Sequence, residues 1–464
     1  MARPGYDRAA APVGVVHFGP GAFFRAHVAS YLERALEAGA PLAVCAASLR
    51  SGAVERALTP QDGLYTLVEL DREPRMRVVG AVREIVSAEG GGADRLRRRL
   101  LDPAVRLVTL TVTEKGYTLR ADGELDLDHP DVRHDLAHPE AVPRSVTAWI
   151  ADALAARRAA GAAPFVTLSC DNLADNGVKL GRAVAAFSRA RGAEAPAEAC
   201  FPRTMVDSIT PATDDVLRAR VRRALGGVED AWPVQREPFT QWVIEDALGE
   251  ATGLREALAA AGATVTADVA PFARAKLRLL NGAHSTLAYV GLLAGRETVA
   301  DAMAEPRLAA FVERLMRGPI AATLPSAANL DVPAYIGAVL ARFRNPAVRH
   351  ELEQIAWDGS QKLPVRLLAT AADALAAAAS VETLAVPVAA WMRFVRLRVI
   401  RGEPLIDPLA APLAAEVGDD GPAEAERFLA LEAVFPPAMA GDARFRAAVL
   451  ASHAALGRDP LRLP

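Results

Sequence analysis

Cysteine is scarce in this chain. Cys45, Cys170 and Cys200 are its only three. No two of them stand at Cys-x-x-Cys spacing, which excludes a zinc ribbon and gives no basis for a disulfide framework. Charge of one sign is lacking too: 53 basic residues face 56 acidic ones, for a net charge of -3. That balance argues against a nucleic-acid or anionic-membrane partner. No apolar run reaches the ~20 residues of a membrane span. The first eleven residues carry Arg3, Asp7 and Arg8 in place of a signal-peptide core. With unpaired thiols, this predicts a reducing, cytoplasmic setting. There is no repeat at a fixed period and no coiled-coil heptad pattern.

What is present describes a globular protein. Hydrophobic residues make up 52% and charged residues 23% of the chain, outside the range of disordered sequences. At 464 residues it is too long for one ordinary core, so two domains are expected. Up to about residue 268 strand-like and helix-like runs alternate. From about Pro271 onward Ala/Leu/Arg-rich helical periodicity takes over. The predicted architecture is an α/β domain with a mostly parallel sheet over 1–268 and an all-helical domain over 269–464.

The first domain opens with an apolar run, Gly14 to Phe18, then Gly19-Pro20-Gly21, then an amphipathic helical stretch from Ala22 to Ala38. Strand, glycine turn and helix make up the opening of a Rossmann-type dinucleotide-binding unit. The glycines let backbone approach a pyrophosphate, and a helix N-terminus favours its charge. Phe24 stands where a third glycine is expected, and Phe23-Phe24-Arg25-Ala26-His27 comes after the turn. Leu42 to Ala47 is the predicted second strand. Its end, where an NAD-binding unit often places a carboxylate, reads Ser48-Leu49-Arg50-Ser51. Arg50 either meets a 2′-phosphate, favouring NADP, or is a solvated loop cation.

Further strands are predicted at Tyr65 to Leu70, Arg77 to Val79, Val105 to Thr113, Phe165 to Leu168 and across Glu237 to Asp246, with a helix at Ser145 to Ala160. Ligands of an open parallel sheet sit outside the carboxyl ends of its strands, and Glu114 and Asn172 both fall at such ends. Asp171, Asn172 and Asn176 are equally suited to capping the next helix. Asp207 is either a pocket carboxylate or the acceptor for a nearby backbone turn.

In the second half, Lys276-Leu277-Arg278-Leu279-Leu280-Asn281-Gly282-Ala283-His284 reads as helix. At about 100° per residue, Leu280, His284 and Asn281 lie roughly 40°, 80° and 140° round from Lys276. One face thus carries an amine, a carboxamide and an imidazole among leucines. Gly282 costs a helix interior about 1 kcal/mol against Ala, so a close approach by a ligand or another backbone is expected there. Asp358-Gly359-Ser360-Gln361-Lys362-Leu363-Pro364 is a turn before a Pro-started helix. Lys362 either binds a polar ligand or lies in solvent.

Together these stretches resemble one family, the polyol-specific long-chain or mannitol dehydrogenases, which includes the fructuronate (mannonate) reductases. The resemblance is carried by Gly19-Pro20-Gly21-Ala22-Phe23 with Arg25-Ala26-His27, by Thr111 through Tyr117, and by Ser169-Cys170-Asp171-Asn172-Leu173 with Asn176-Gly177. It continues through Thr204-Met205-Val206-Asp207, Glu237-Pro238-Phe239 to Asp246, Lys276 to Ser285, and Asp358 to Pro364, in family order over nearly the whole chain. It implies metal-free hydride transfer between a secondary alcohol and NAD, with NADP not excluded. Gly19, Gly21, Ala22, Phe23 and Arg25, with Arg50, would hold the cofactor. The lysine matching Lys276 is the general base, the asparagines matching Asn172 and Asn281 polarise the substrate oxygen, and the histidine matching His284 hydrogen-bonds the substrate. Positions matching Glu114, Asp207 and Lys362 line the site or its proton route.

The chemistry agrees. A lysine at its free pKa of ~10.4 is a poor base near neutrality, and burial among leucines would lower that value. Two carboxamides supply N–H donors to a developing alkoxide without a metal. The ligand set of a zinc alcohol dehydrogenase is missing. The chain departs from the family at Ala273, where an acidic residue is frequent, at Phe24 for His, and at Ala283 for Ser. Gln354 stands where mannitol-type members tend to have Arg. Gln354-Ile355-Ala356 with Arg366 is closer to the fructuronate reductases, and Arg366 either faces a substrate carboxylate or covers a helix surface. The expected substrate is a small sugar acid or polyol, mannonate/fructuronate ahead of mannitol/fructose. The rival of a different class is a catalytically silent dinucleotide-binding protein. A Rossmann-type methyltransferase fits poorly with the polar helical face. The sequence leaves oligomeric state open.

Overall fold

The computed structural model describes residues 1–195, 197–249 and 253–464. The chain forms two compact units, Met1–Val269 and Ala270–Pro464.

In the first unit five strands form a sheet in the order Val82–Ser87, Ala43–Ser48, Val13–Phe18, Leu107–Leu110, Val166–Ser169. Every neighbouring pair is parallel. The strands are Val/Ala/Leu-rich because both faces are covered. Successive side chains feed opposite layers: Val15, Val44 and Leu107 join one apolar cluster, Val16, Cys45 and Val108 the other. The chain leaves its first strand to one side, then returns to build on the other. The reversal falls between Val13–Phe18 and Leu107–Leu110, the crevice where such sheets bind ligands.

Several boundaries differ from expectation, each for a local reason. Val82–Ser87 is an edge strand that the apolar pattern missed, because Arg83 and Glu84 interrupt it. Glu84 accepts from Arg99 Nε at 2.6 Å, and charges of this kind blunt an edge. Within the run 237–246 only Gln241–Glu245 is a strand, and a separate strand, Val234–Arg236, precedes it. Val234–Arg236 pairs with Tyr65–Glu69, while Gln241–Glu245 pairs with Thr204–Asp207. Pro238 lies between them and lacks the N–H a continuous ladder needs. The helix expected over 22–38 is broken into Ala22–Ala26 and Val28–Glu37 at His27, whose φ and ψ are -110° and -80°.

The second unit has no named strand among its described residues. Gly282–Leu293 and Glu382–Ile400 are its central helices, and Gly282 to Gly291 is buried at every position. A helix covered all round belongs in the middle of a bundle. No helix among the described residues is long and apolar enough to cross a membrane.

Candidate active site

Gly19 ends the first strand at φ +88°, and a Cβ there would stand 2.3 Å from the Thr111 carbonyl oxygen. Only glycine fits both the left-handed conformation and that approach. The turn is closed by Gly19 N–H donating to the Ala47 carbonyl (3.0 Å) and Gly21 N–H to the Gly19 carbonyl (2.7 Å). At Gly21 the nearest atom to an added Cβ is 3.9 Å away, so this backbone faces open space. That space is a cleft of ≈ 430 Å³ at the carboxyl ends of Val13–Phe18, Ala43–Ser48 and Leu107–Leu110, lined among others by Gly19, Gly21, Ser48, Arg50, Thr111 and Lys115. Its position and its bare glycine backbone fit a dinucleotide.

The cleft floor is held from below. His17, inside the apolar strand, places Nε2 3.2 Å from the Gly19 carbonyl and 3.0 Å from Thr111 Oγ1. A carbonyl only accepts, so Nε2 carries the hydrogen and Nδ1 accepts from the Thr109 hydroxyl at 2.7 Å. Phe24, at the third-glycine position, stacks on this ring with centroids 3.5 Å apart. An aromatic stack thus replaces the close helix–strand packing a glycine would give. Arg25 is buried: it donates to the Trp232 carbonyl at 2.5 Å and to the Gly21 carbonyl at 3.4 Å, and lies over the Trp232 ring. Burial pulls its pKa down to about 10. Its guanidinium braces the glycine turn from beneath. Ala22 and Phe23 are half-buried on the turn, Phe23 stacked against His27. Arg50 lines the cleft and is paired with Asp131.

Asp171 caps no helix. Its carboxylate accepts the Val112 and Thr113 N–H groups at 3.0 and 2.9 Å and the Tyr117 hydroxyl at 2.7 Å. Burial is the main cause of its raised pKa. The clamp ties two strand ends together and so sets Glu114 beside the Asp171-Asn172 corner. Asn176 opens the next helix and spends its amide on the Ser169 and Thr204 carbonyls, both at 3.2 Å. Glu114 and Asn172 are exposed, and Asp207 is buried at the end of its strand opposite Gln241.

His17 and His27 are fully buried, and desolvation lowers both pKa values to about 3. The unfolded chain protonates them near 6.5, so between these limits it binds more protons than the fold does. Their stabilising share is whole above pH 6.5 and is lost as pH falls toward 3, at up to ~1.4 kcal/mol per unit for each ring. Urea unfolding across that window should show His27→Gln, which keeps a donor for the Gln241 carbonyl, flattening the pH slope by about one ring's share. An unchanged slope would contradict the neutral, buried state.

In the second unit the segment Lys276–Asn281 is a π-turn, not a regular α-helix, and Gly282 N–H donates to the Leu277 carbonyl five residues back. An extra residue in a turn rotates the downstream helix back by about 100°. His284 therefore shifts from roughly 80° to roughly -20° of the Lys276 azimuth, nearer the same face. A second π-turn, Pro364–Leu368, packs against the first. Gly282 is the reason they meet: an added Cβ would lie 3.1 Å from the Arg366 carbonyl oxygen. The approaching group is backbone. π-turns break the regular ladder and recur at functional sites.

Lys276 and Asn281 are half-buried on the first turn. His284 is buried, its Nε2 has no hydrogen-bond partner in the structure, and its ring contacts Phe343 (4.6 Å) and, edge-on, His350 (4.8 Å). Burial first, then the neighbouring His350, Arg342 and Arg366, hold its pKa well below 6.5. It is a neutral ring at neutral pH. Arg366 donates to Ser285 Oγ at 3.2 Å. Lys362 is half-buried, donates to the Ile355 carbonyl at 3.4 Å, and has its pKa lowered by burial and by Arg366. This excludes the fully solvated alternative. Sequence pattern did not single out His17, Asp131 or His350. His17 left a signal, an imidazole within an apolar strand; the others left none.

A parallel sheet wound to both sides of its first strand, with a glycine turn opening on a cleft at the reversal, defines a Rossmann-type nucleotide-binding protein. Residues 13–255 match the Mannitol dehydrogenase Rossmann domain and residues 268–456 the Mannitol dehydrogenase C-terminal domain. The chain belongs to the mannitol dehydrogenase family, and it is an oxidoreductase acting on CH–OH groups. It is 37% identical to D-mannonate oxidoreductase of Escherichia coli (strain K12) over 98% of this chain and 95% of that one. It is 38% identical to mannitol 2-dehydrogenase of Cereibacter sphaeroides over 85% and 83% of the two chains. Among solved structures, Pseudomonas fluorescens mannitol 2-dehydrogenase in ternary complex with NAD and D-mannitol is 34% identical with a TM-score of 0.77, covering 99% of this chain and 95% of that one. A substrate-free D-sorbitol dehydrogenase is 30% identical with a TM-score of 0.89, covering 99% and 96%.

Proposed function

We propose that the protein interconverts a secondary alcohol and a ketone of a sugar acid or polyol with NAD, with D-mannonate/D-fructuronate the preferred pair. Residues 1–268 bind the dinucleotide and residues 269–464 carry the base and most of the substrate contacts. The observation that carries the reading is the π-turn Lys276–Asn281, which carries an amine and a carboxamide and leads straight into the helix whose buried His284 has an unpartnered nitrogen.

Gly19, Gly21, Ala22 and Phe23 form the backbone and apolar surface for the cofactor; Arg25 acts from beneath as a positioning residue. Bound there, NAD supplies the hydride acceptor, or in reverse the donor. Lys276 takes the hydroxyl proton during oxidation and returns it during reduction. Asn172 and Asn281 donate N–H groups to the reacting oxygen, stabilising the charge that develops on it. His284, neutral, hydrogen-bonds a neighbouring substrate hydroxyl. Glu114, Asp207 and Lys362 serve substrate binding or the proton's route to solvent.

Preference for a sugar acid rests on Arg366, a half-buried cation on the second π-turn, with Gln354 in place of the arginine of mannitol-type enzymes. A charge-assisted hydrogen bond contributes about 1.5–3 kcal/mol. Arg366→Gln should therefore lower kcat/KM for D-fructuronate roughly 10–100-fold. The test is a kinetic panel of ketoses and ketouronates with NADH. Equal losses on fructose and fructuronate would remove the carboxylate role. Fructose outperforming fructuronate in the unaltered protein would shift the reading to mannitol.

A further inference from the structure

The end of the second strand is where a Rossmann-type unit distinguishes NAD from NADP, through a carboxylate on the ribose hydroxyls or an arginine on the 2′-phosphate. Here that segment, Ser48-Leu49-Arg50-Ser51, offers an arginine and no carboxylate. The cleft lining includes three cations, Arg50, Lys115 and Arg144, and no Asp or Glu. By composition alone the cleft suits a 2′-phosphorylated dinucleotide. Arg50, however, is held by a carboxylate 81 residues away, Asp131 in the first turn of the Pro130–Ala137 helix. The two partners differ in freedom. The Arg50 side chain is 70% exposed and that of Asp131 20%. The Asp131 N–H is also tied to His129 Nδ1 at 3.2 Å. The carboxylate is the fixed member, and the guanidinium is drawn to it.

We infer that Asp131 sets cofactor choice by occupying Arg50, so that a guanidinium able to grip a 2′-phosphate is neutralised and NADPH is disfavoured relative to NADH. This deepens the proposed function and rests on dinucleotide binding in the cleft. Asp131 holds the guanidinium through one N–H and offsets its charge, so a 2′-phosphate would have to compete with a fixed carboxylate to draw Arg50 into a bidentate grip. Adenosine with a free 2′-hydroxyl carries no charge for Arg50 to meet and is indifferent to the pair.

The test is equilibrium binding of NADH and NADPH, followed by quenching of protein fluorescence, in the wild type, Asp131→Asn, and Asp131→Asn combined with Arg50→Ala. Asp131→Asn should tighten NADPH binding about tenfold, as expected for one freed charge-assisted contact, and move NADH less than about twofold. The double variant should lose that gain. Three results would overturn the inference: unchanged NADPH affinity in Asp131→Asn, equal tightening of both dinucleotides, or a gain that survives loss of Arg50. A wild type that binds neither dinucleotide would overturn the proposed function itself. NADH binding with no NADPH response in Asp131→Asn would sink only the role of Asp131.

Discussion

Lys276→Ala is expected to lower turnover by about 10²–10⁴-fold, the range that a positioned acid/base contributes, while NADH still binds. The two effects separate because the dinucleotide cleft is lined by first-unit residues, from Gly19 to Val146, and Lys276 is not among them. Removing the amine leaves Asn281 and His284 in place, so substrate affinity should change far less than kcat. Lys276→Arg is an informative companion: it keeps a cation but cannot take up a proton near neutrality. It should be almost as slow as the alanine variant. The checks are steady-state kinetics in both directions and NADH fluorescence titration. A Lys276→Ala protein with most of its activity would remove the base from the scheme.

Gly19→Ala is the second large effect. Its φ of +88° disfavours any side chain, and the new Cβ would sit 2.3 Å from the Thr111 carbonyl oxygen. That oxygen belongs to backbone leaving a sheet strand, so it cannot simply swing aside. Strain and overpacking together should cost roughly 2–5 kcal/mol, and NADH affinity should fall by two orders of magnitude or more as the turn shifts. Gly21→Ala separates the causes. Its φ is -69°, and an added Cβ would meet nothing closer than 3.9 Å, so stability should hold within about 0.5 kcal/mol. NADH binding should still weaken, because the methyl group enters the cleft. Thermal melts with NADH titrations of both variants provide the check; equal melting losses would mean the turn is not built as described.

These two sites also show how far local sequence carries. Gly19 and Gly21 stand out by spacing, and the apolar run before them marks a strand, so the sheet and its cleft could be read directly. The change of texture after Pro271 was equally plain. The π-turn at 276–281 was not, because α- and π-turns share composition and hydrophobic period. The extra residue is accommodated where Gly282 meets the Arg366 carbonyl, more than 80 positions away. Asp171 misled for a related reason. An aspartate after a strand looks like a helix cap, and its actual donors lie 58 and 59 residues back. The break at His27 obeys the same rule. Nothing in 22–38 disfavours a continuous helix except an imidazole whose partner is the Gln241 carbonyl. Local pattern predicted elements well, and long-range hydrogen bonds decided where they bend.

The central claim is hydride transfer to a carbohydrate carbonyl by side-chain acid/base catalysis, without a metal. Among the described residues no group of three His, Cys, Asp or Glu side chains gathers where a metal ion would be held. The most direct measurement is therefore NADH consumption on adding D-fructuronate, or D-fructose, to protein dialysed against a strong chelator. The account predicts a loss of NADH absorbance matched mole for mole by the alcohol product, at a rate unchanged by chelation and not raised by added zinc. No consumption with either substrate, or consumption that depends on restored metal, would contradict it.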